Sequence, residues 1–213
     1  MNEPKHWPEP NYSAPPVELM HALGIASLNY NSFEHVLFAI FRVHLLDRNV
    51  PSEFSGFIFG ELNRQQQIQA LKEVFETCEK DPIVIERISD LLAFFSWAAQ
   101  ARDMLMHSHQ DTFSDPKEGR LALAKRSRDN FAKFNFMSLS VLYLRAIADD
   151  MHRGYLFALN LFAFLESRAG RMPGFLSQLA PLPNKPQIPK PLKLKEAPSI
   201  SDTGKPQPGS SRA

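Results

Sequence analysis

Residues 82–107, Pro-Ile-Val-Ile-Glu-Arg-Ile-Ser-Asp-Leu-Leu-Ala-Phe-Phe-Ser-Trp-Ala-Ala-Gln-Ala-Arg-Asp-Met-Leu-Met-His, decide how this chain folds. Ile85, Ile88, Leu92, Phe95 and Ala99 recur at steps of three and four, the spacing of one buried helical face. The next step along that face lands on Arg102. A guanidinium at a core position needs a carboxylate, water or a polar cleft, because burying a permanent cation unpaired is costly. Asp81 and Pro82 punctuate the start of the helix, the proline suiting its first turn. The polar run from Ser108 to Thr112 ends it.

Upstream, residues 17–46 keep the same rhythm through Leu19, Leu23, Ala26, Tyr30, Phe33, Leu37 and Ile40, with no proline between them. A helix of that length spans roughly 45 Å, the full height of a bundle. Glu34 lies mid-way along it and has two readings: a solvated residue on the polar edge, or the carboxylate that neutralises Arg102 from a neighbouring helix. Asn49, Pro51 and Gly56 mark a loop, and a short apolar piece covers residues 54–59. A second helix is expected over about residues 61–79, with Leu62, Ile68, Leu71, Val74, Phe75 and Cys78 inward and Arg64, Gln65, Gln66, Gln69 and Lys72 outward.

Downstream, Leu121, Leu123 and Lys125, then Phe134 and Phe136, alternate with smaller or polar neighbours on either side of a polar stretch, which suggests a small hairpin. A last helix is expected over residues 138–168, capped by Ser138 and carried by Leu139, Leu142, Ala146, Met151, Tyr155, Leu159, Phe162 and Phe164. Gly170 and Pro173 end it. The expected fold is therefore all-α: an up-and-down four-helix bundle with a small β-hairpin between helices three and four.

The ends read differently from the middle. Residues 1–16 hold five prolines and form an extended arm, residues 17–170 the helical bundle, and residues 171–213 a basic tail with nine of the chain's 17 prolines. Such a tail cannot bury enough apolar surface to offset ordering, so it is expected to be disordered with polyproline II character. It carries a net charge of +5 and the rest of the chain −4, which excludes the overall basic charge of a general nucleic-acid binder. The single cysteine, Cys78, and the absence of an export signal at the start point to a reducing, cytoplasmic setting. Residues 138–165 are the most apolar stretch, but Arg145, Asp149, Asp150, His152 and Arg153 interrupt it, so no membrane span is expected. His107, His109 and Asp111 lack a fourth ligand at a known spacing, and neither a metal nor another cofactor is expected.

Two readings of Arg102 and His107 are open. One makes Arg102 a structural ion-pair residue, Asp103 and His107 an ordinary i, i+4 pair, and His107 a cation placed near a helix C-terminus. The other joins a fixed cation to a side chain that titrates near neutrality, a combination able to bind and activate a phosphodiester without a metal.

The motif Arg102-Asp103-x3-His107 at the end of the third long helix, the count of four long helices, Gly24, Ile25 and the Phe33-Glu34 pair in the first helix, and residues 64–71 in the second together resemble the HEPN superfamily. The resemblance covers about residues 17–168 and leaves both ends out. It implies a helical bundle that pairs with a second copy, so that two Arg-His motifs meet in one cleft. Many members of that family cut RNA without a metal, and one expectation is such cleavage here, in a toxin–antitoxin or phage-defence setting. His107 would then manage the proton of a ribose 2′-hydroxyl, Arg102 would hold the phosphoryl oxygens, and Asp103 would support them. RNA, an antitoxin and a nucleotidyltransferase are the partners such a protein would meet. The alternative is a non-catalytic dimeric helical module for interaction or nucleotide binding, in which Glu34 and Arg102 form a structural pair.

Overall fold

Apolar residues at helical spacing form five helices in the computed structural model, which describes residues 17–46, 50–106, 109–110, 120–126, 134–171, 181–190 and 195–196. They are α1 (Val17–Leu46), α2 (Ser52–Glu61), α3 (Arg64–Cys78), α4 (Pro82–Met106) and α5 (Val141–Arg168). Between α4 and α5 the chain forms β1 (His109–Gln110), β2 (Arg120–Arg126) and β3 (Phe134–Ser140), and β4 (Lys195–Glu196) lies near the C-terminus. The four strands make one antiparallel sheet in the order β1-β2-β3-β4. The expected hairpin is its centre, paired from Arg120 opposite Ser140 to Arg126 opposite Phe134.

The architecture is an all-α bundle with α4 at its heart. Val84, Ile88, Leu91, Phe94, Phe95, Ala98, Ala101 and Leu105 are all buried, so α4 is covered on more than the one face its spacing marks. Asp81 accepts from the Ile83 N–H at 2.9 Å ahead of Pro82, which satisfies one of the free donors at this helix start. Aromatic rings fill the middle: Phe33 meets Phe94 and Phe95 edge-on, with centroids 6.0 and 5.3 Å away, and Tyr30 stacks on Phe95 at 5.7 Å. Such pairs add about 0.5–1.5 kcal/mol each beyond area burial.

Residues 52–61 form a helix rather than the apolar connection expected there. Phe59 packs on Phe38 and Phe41, with centroids 5.4 and 4.9 Å away, and this anchor outweighs the helix-weakening Gly56 and Gly60. The short α2 adds one reversal of direction, and α1 and α5 consequently run the same way. Asn29 Nδ2 donates to the Ala148 carbonyl at 2.9 Å near one end of this pair, and Arg171 donates to the Val43 carbonyl at 3.2 Å near the other. Asn63 and Gln66 then start α3 with reciprocal side-chain to backbone bonds of 3.1 and 2.9 Å.

In α5 the buried face matches the expected one only in part: Met151 is buried and Tyr155, Phe162 and Phe164 pack against the core, but the centre of the face is shifted. Leu144, Ile147, Ala148, Met151, Gly154, Ala158, Leu161 and Leu165 face inward, whereas Leu142 is 76% exposed and Leu159 37%. Apolar residues occur all around this helix, so the spacing fits two faces; the close approach of Gly154 to α1 selects one. The N-cap is Ser140, whose hydroxyl accepts from the Tyr143 N–H at 3.2 Å, because β3 continues through Ser138.

Residues 181–190 belong to the tail expected to be disordered, and the structure describes them. They lie extended beside α4, where Arg87 Nε donates to the Pro183 carbonyl and Trp97 Nε1 to the Lys190 carbonyl, each at 3.1 Å. The tail lacks apolar surface of its own, but α4 supplies both the packing surface and the donors. The rest of the tail, apart from Arg171 and β4, and the arm of residues 1–16 lie outside the described residues. Among the described residues no helix is long and apolar enough to cross a membrane.

Candidate functional site

The last two turns of α4 face the middle of α1 and the start of α3, and three helices thereby bring polar groups to one place. Arg102 is 32% exposed, its guanidinium 5.6 Å from the centroid of the Tyr30 ring. Arg64, at the first position of α3, sets its own guanidinium 5.7 Å from the same centroid. Its Nη1 donates to Asp103 Oδ2 at 2.7 Å, while Arg102 Nη1 lies 3.4 Å from Asp103 Oδ1. One carboxylate thus bridges two guanidiniums that share one aromatic ring.

Glu34 belongs to the same cluster. Its Oε1 accepts from the Tyr30 hydroxyl at 3.3 Å. The carboxylate beside Arg102 is Asp103 rather than the Glu34 expected from sequence, and Glu34 and Arg102 each meet Tyr30, the acid at its hydroxyl and the cation at its ring. His107, the other half of the Arg-His motif, lies outside the described residues, as does Asp111; β1 carries His109 two residues further on.

Burial and charge set the protonation of the cluster. Burial pushes the Asp103 carboxyl up, but the Arg64 hydrogen bond and charge, reinforced by Arg102, outweigh it and hold the group below the ordinary carboxylate range. Burial likewise favours the neutral form of Arg64, and its bond to Asp103 reverses that and keeps the cation firmly protonated. The Tyr30 hydroxyl is pushed up to about 12, first by burial and then by the Glu34 carboxylate. It remains a donor at any physiological pH. Arg64 Nε is buried with no hydrogen-bond partner among the described residues, so this guanidinium is held by one carboxylate and an aromatic face rather than by a full set of acceptors.

The helical spacing puts Arg64 among the outward residues of its helix and Tyr30 on the core stripe. A first-turn arginine can fold back across its own helix start, and a tyrosine on an apolar stripe carries a hydroxyl that needs a partner when buried. Both signals were present in the residue types. Among the described residues no group of three or more His, Cys, Asp or Glu side chains is arranged to hold a metal ion. No protein-family model matches the chain, and no curated protein or solved structure is significantly similar to it.

Proposed function

We propose that this protein is a HEPN-like, metal-independent endoribonuclease acting as a homodimer in a toxin–antitoxin or phage-defence setting, with Arg102 and His107 as its catalytic pair. The observation that carries this reading is the setting of Arg102: a cation at a helix end, one-third exposed, oriented by Tyr30 and Asp103, with His107 next but four along the chain. A second guanidinium on the same ring answers the negative charge of Asp103, which would otherwise oppose a phosphate. In the proposed reaction His107 removes the proton of a ribose 2′-hydroxyl, the oxygen attacks the adjacent phosphorus, and the bond from phosphorus to the 5′-oxygen of the next nucleotide breaks as that oxygen takes a proton from a protonated imidazole of the dimer. A 2′,3′-cyclic phosphate and a 5′-hydroxyl result. Arg102 binds the non-bridging oxygens as charge builds on them, and Asp103 is a positioning residue.

Dimerisation would bring two such ends together. The end of the bundle that carries Arg102 and Tyr30 also exposes Met20, Leu28 and Leu142, at 50%, 62% and 76%. The test is purified protein incubated with mixed RNA in EDTA, beside Arg102→Ala and His107→Ala. Cyclic-phosphate ends that fall by about 100-fold or more in both variants support the reading; equal cleavage by all three proteins defeats it.

The bridging of Arg64 and Arg102 by Asp103 favours a second reading. The cluster is reason enough for an arginine on this stripe, and the chain would then be a non-catalytic dimeric module that binds a partner or a nucleotide. Intact folding with no cyclic phosphate at any protein concentration would select it.

A further inference from the structure

Residues 181–190, Pro-Leu-Pro-Asn-Lys-Pro-Gln-Ile-Pro-Lys, place a proline at every third position from Pro183 to Pro189. Three residues make one turn of a polyproline II helix, so these prolines fall on one side of it. Pro183, Pro186 and Pro189 are half-buried, while Asn184, Lys185, Gln187 and Ile188 are exposed. From Pro183 onward the period of the sequence and the period of burial agree, and Leu182 packs on the core just ahead of it.

The receiving surface suits that backbone. A polyproline II segment makes no internal hydrogen bonds and leaves its carbonyls open to donors. Arg87 Nε and Trp97 Nε1 supply two, to Pro183 and Lys190. Aromatic side chains combined with such donors are a recurring means of reading proline-rich segments. Charge adds direction: Lys185 Nζ lies 3.2 Å from Glu86 Oε1 and 3.5 Å from Asp90 Oδ1, and Asp90 is a buried carboxylate. Both backbone bonds go to carbonyls, so neither depends on the identity of the residue that carries it.

The fit is incomplete. A pocket of about 620 Å3 remains between residues 181–187 and a floor that includes Phe94, Leu156, Phe157 and Asn160. That volume is within the range of about 300–1,000 Å3 usual for ligand pockets. Nine residues of sequence separate Arg171 from Pro181, so the segment is tethered beside its seat.

We propose that this face of α4 and α5 is a receptor for polyproline II segments, filled in cis by residues 181–190, which a proline-rich segment of a partner protein displaces in trans. The partner segment carries a proline at every third position and a lysine that reaches Glu86 and Asp90. This site is separate from the Arg102 cluster and does not depend on the ribonuclease reading.

The experiment uses the full chain and a fluorescently labelled peptide with the sequence of residues 181–190, read by anisotropy. A triple variant, Pro183→Ala, Pro186→Ala and Pro189→Ala, weakens the cis segment. A tethered ligand competes at an effective concentration of about a millimolar, so the triple variant should bind the peptide at least about tenfold more tightly than the unaltered chain. Adding Trp97→Phe, which removes only the indole donor, or Glu86→Lys at an exposed position, should weaken binding. A peptide with Lys185→Glu should regain affinity for the Glu86→Lys protein, an exchange that damage to the fold would not produce. No binding by the triple variant, equal binding by both proteins, or no response to charge reversal overturns the proposal. So does a dimer of the unaltered chain that the triple variant converts to monomer, because the occupant would then be a second copy.

Discussion

Asp103 Oδ2 stands 2.7 Å from Nη1 of Arg64, a residue 39 positions earlier and on another helix. This bond fixes the start of α3 against the end of α4 and brings a second cation to the ring that already carries Arg102. Both side chains are about 30% exposed, so solvent screens the pair and its value lies below that of a fully buried one. Replacing Arg64 by Met should lower unfolding stability by about 1–2 kcal/mol. A double-mutant cycle with Asp103→Asn, read by urea denaturation, should return a coupling of about 1 kcal/mol. Additive effects would show that the two residues do not act on one another.

Tyr30 serves the cluster through its ring more than through its hydroxyl. Tyr30→Phe removes the long 3.3 Å bond to Glu34 and the hydroxyl's interaction with Arg64, and should cost about 0.5–1.5 kcal/mol. Tyr30→Leu also removes the Phe95 stack and the face beneath both guanidiniums, and should cost about 2–4 kcal/mol. Under the ribonuclease reading, cleavage follows the same order, nearly intact in the first variant and strongly reduced in the second. Equal losses in the two would place the hydroxyl, and with it Glu34, at the centre.

Gly154 sets how closely α5 approaches α1. A Cβ there would lie 2.6 Å from Phe33 Cε1 and 3.2 Å from Phe94 Cδ2, inside a ring cluster with no room to yield. Alanine is the better helix former by about 1 kcal/mol, but overpacking costs about 1–3 kcal/mol, so Gly154→Ala should destabilise by about 1–2 kcal/mol. A rise in the urea midpoint would mean the rings can move aside.

The long helices were legible because their burial is periodic: Leu19, Ala26, Tyr30, Phe33, Leu37 and Ile40 are buried as their spacing requires, and α4 follows Ile88, Leu92, Phe95 and Ala99 to Arg102. In α5 the spacing misled, since apolar residues such as Leu142 and Leu159 fit a second stripe and only tertiary packing at Gly154 chose between the two. α2 was hidden by its glycines and made by contacts with α1. The composition of residues 181–190 says nothing of a surface elsewhere in the chain that can hold them. At the candidate site Arg102 is visible as a misfit on an apolar face, Glu34 as a carboxylate that could answer it, and Asp103 as its neighbour in the motif. Arg64 is not, because its role depends on which helix end its own first turn meets.

Activity and stability should part company with pH. Asp103 and Glu79 are both held below the ordinary carboxylate range, Asp103 by Arg64 and Arg102 acting against burial, and Glu79 by Arg168 and neighbouring backbone N–H groups acting against burial. Groups depressed in this way favour the folded state above the unfolded-state pKa of about 4, and that contribution is lost as pH falls from there through their folded values. Between pH 5 and 7 the bundle should therefore keep its stability, which circular dichroism and urea titration would record. An imidazole base works only in its neutral form, so RNA cleavage dependent on His107 should fall with acid while the fold still holds. Loss of cleavage at pH 5.5 in a fully folded protein, restored on return to pH 7, is the outcome expected of an imidazole base. A rate that stays level to pH 4.5 and collapses only with the fold would remove His107 from the chemistry and leave the Arg64–Asp103–Arg102 cluster a structural device.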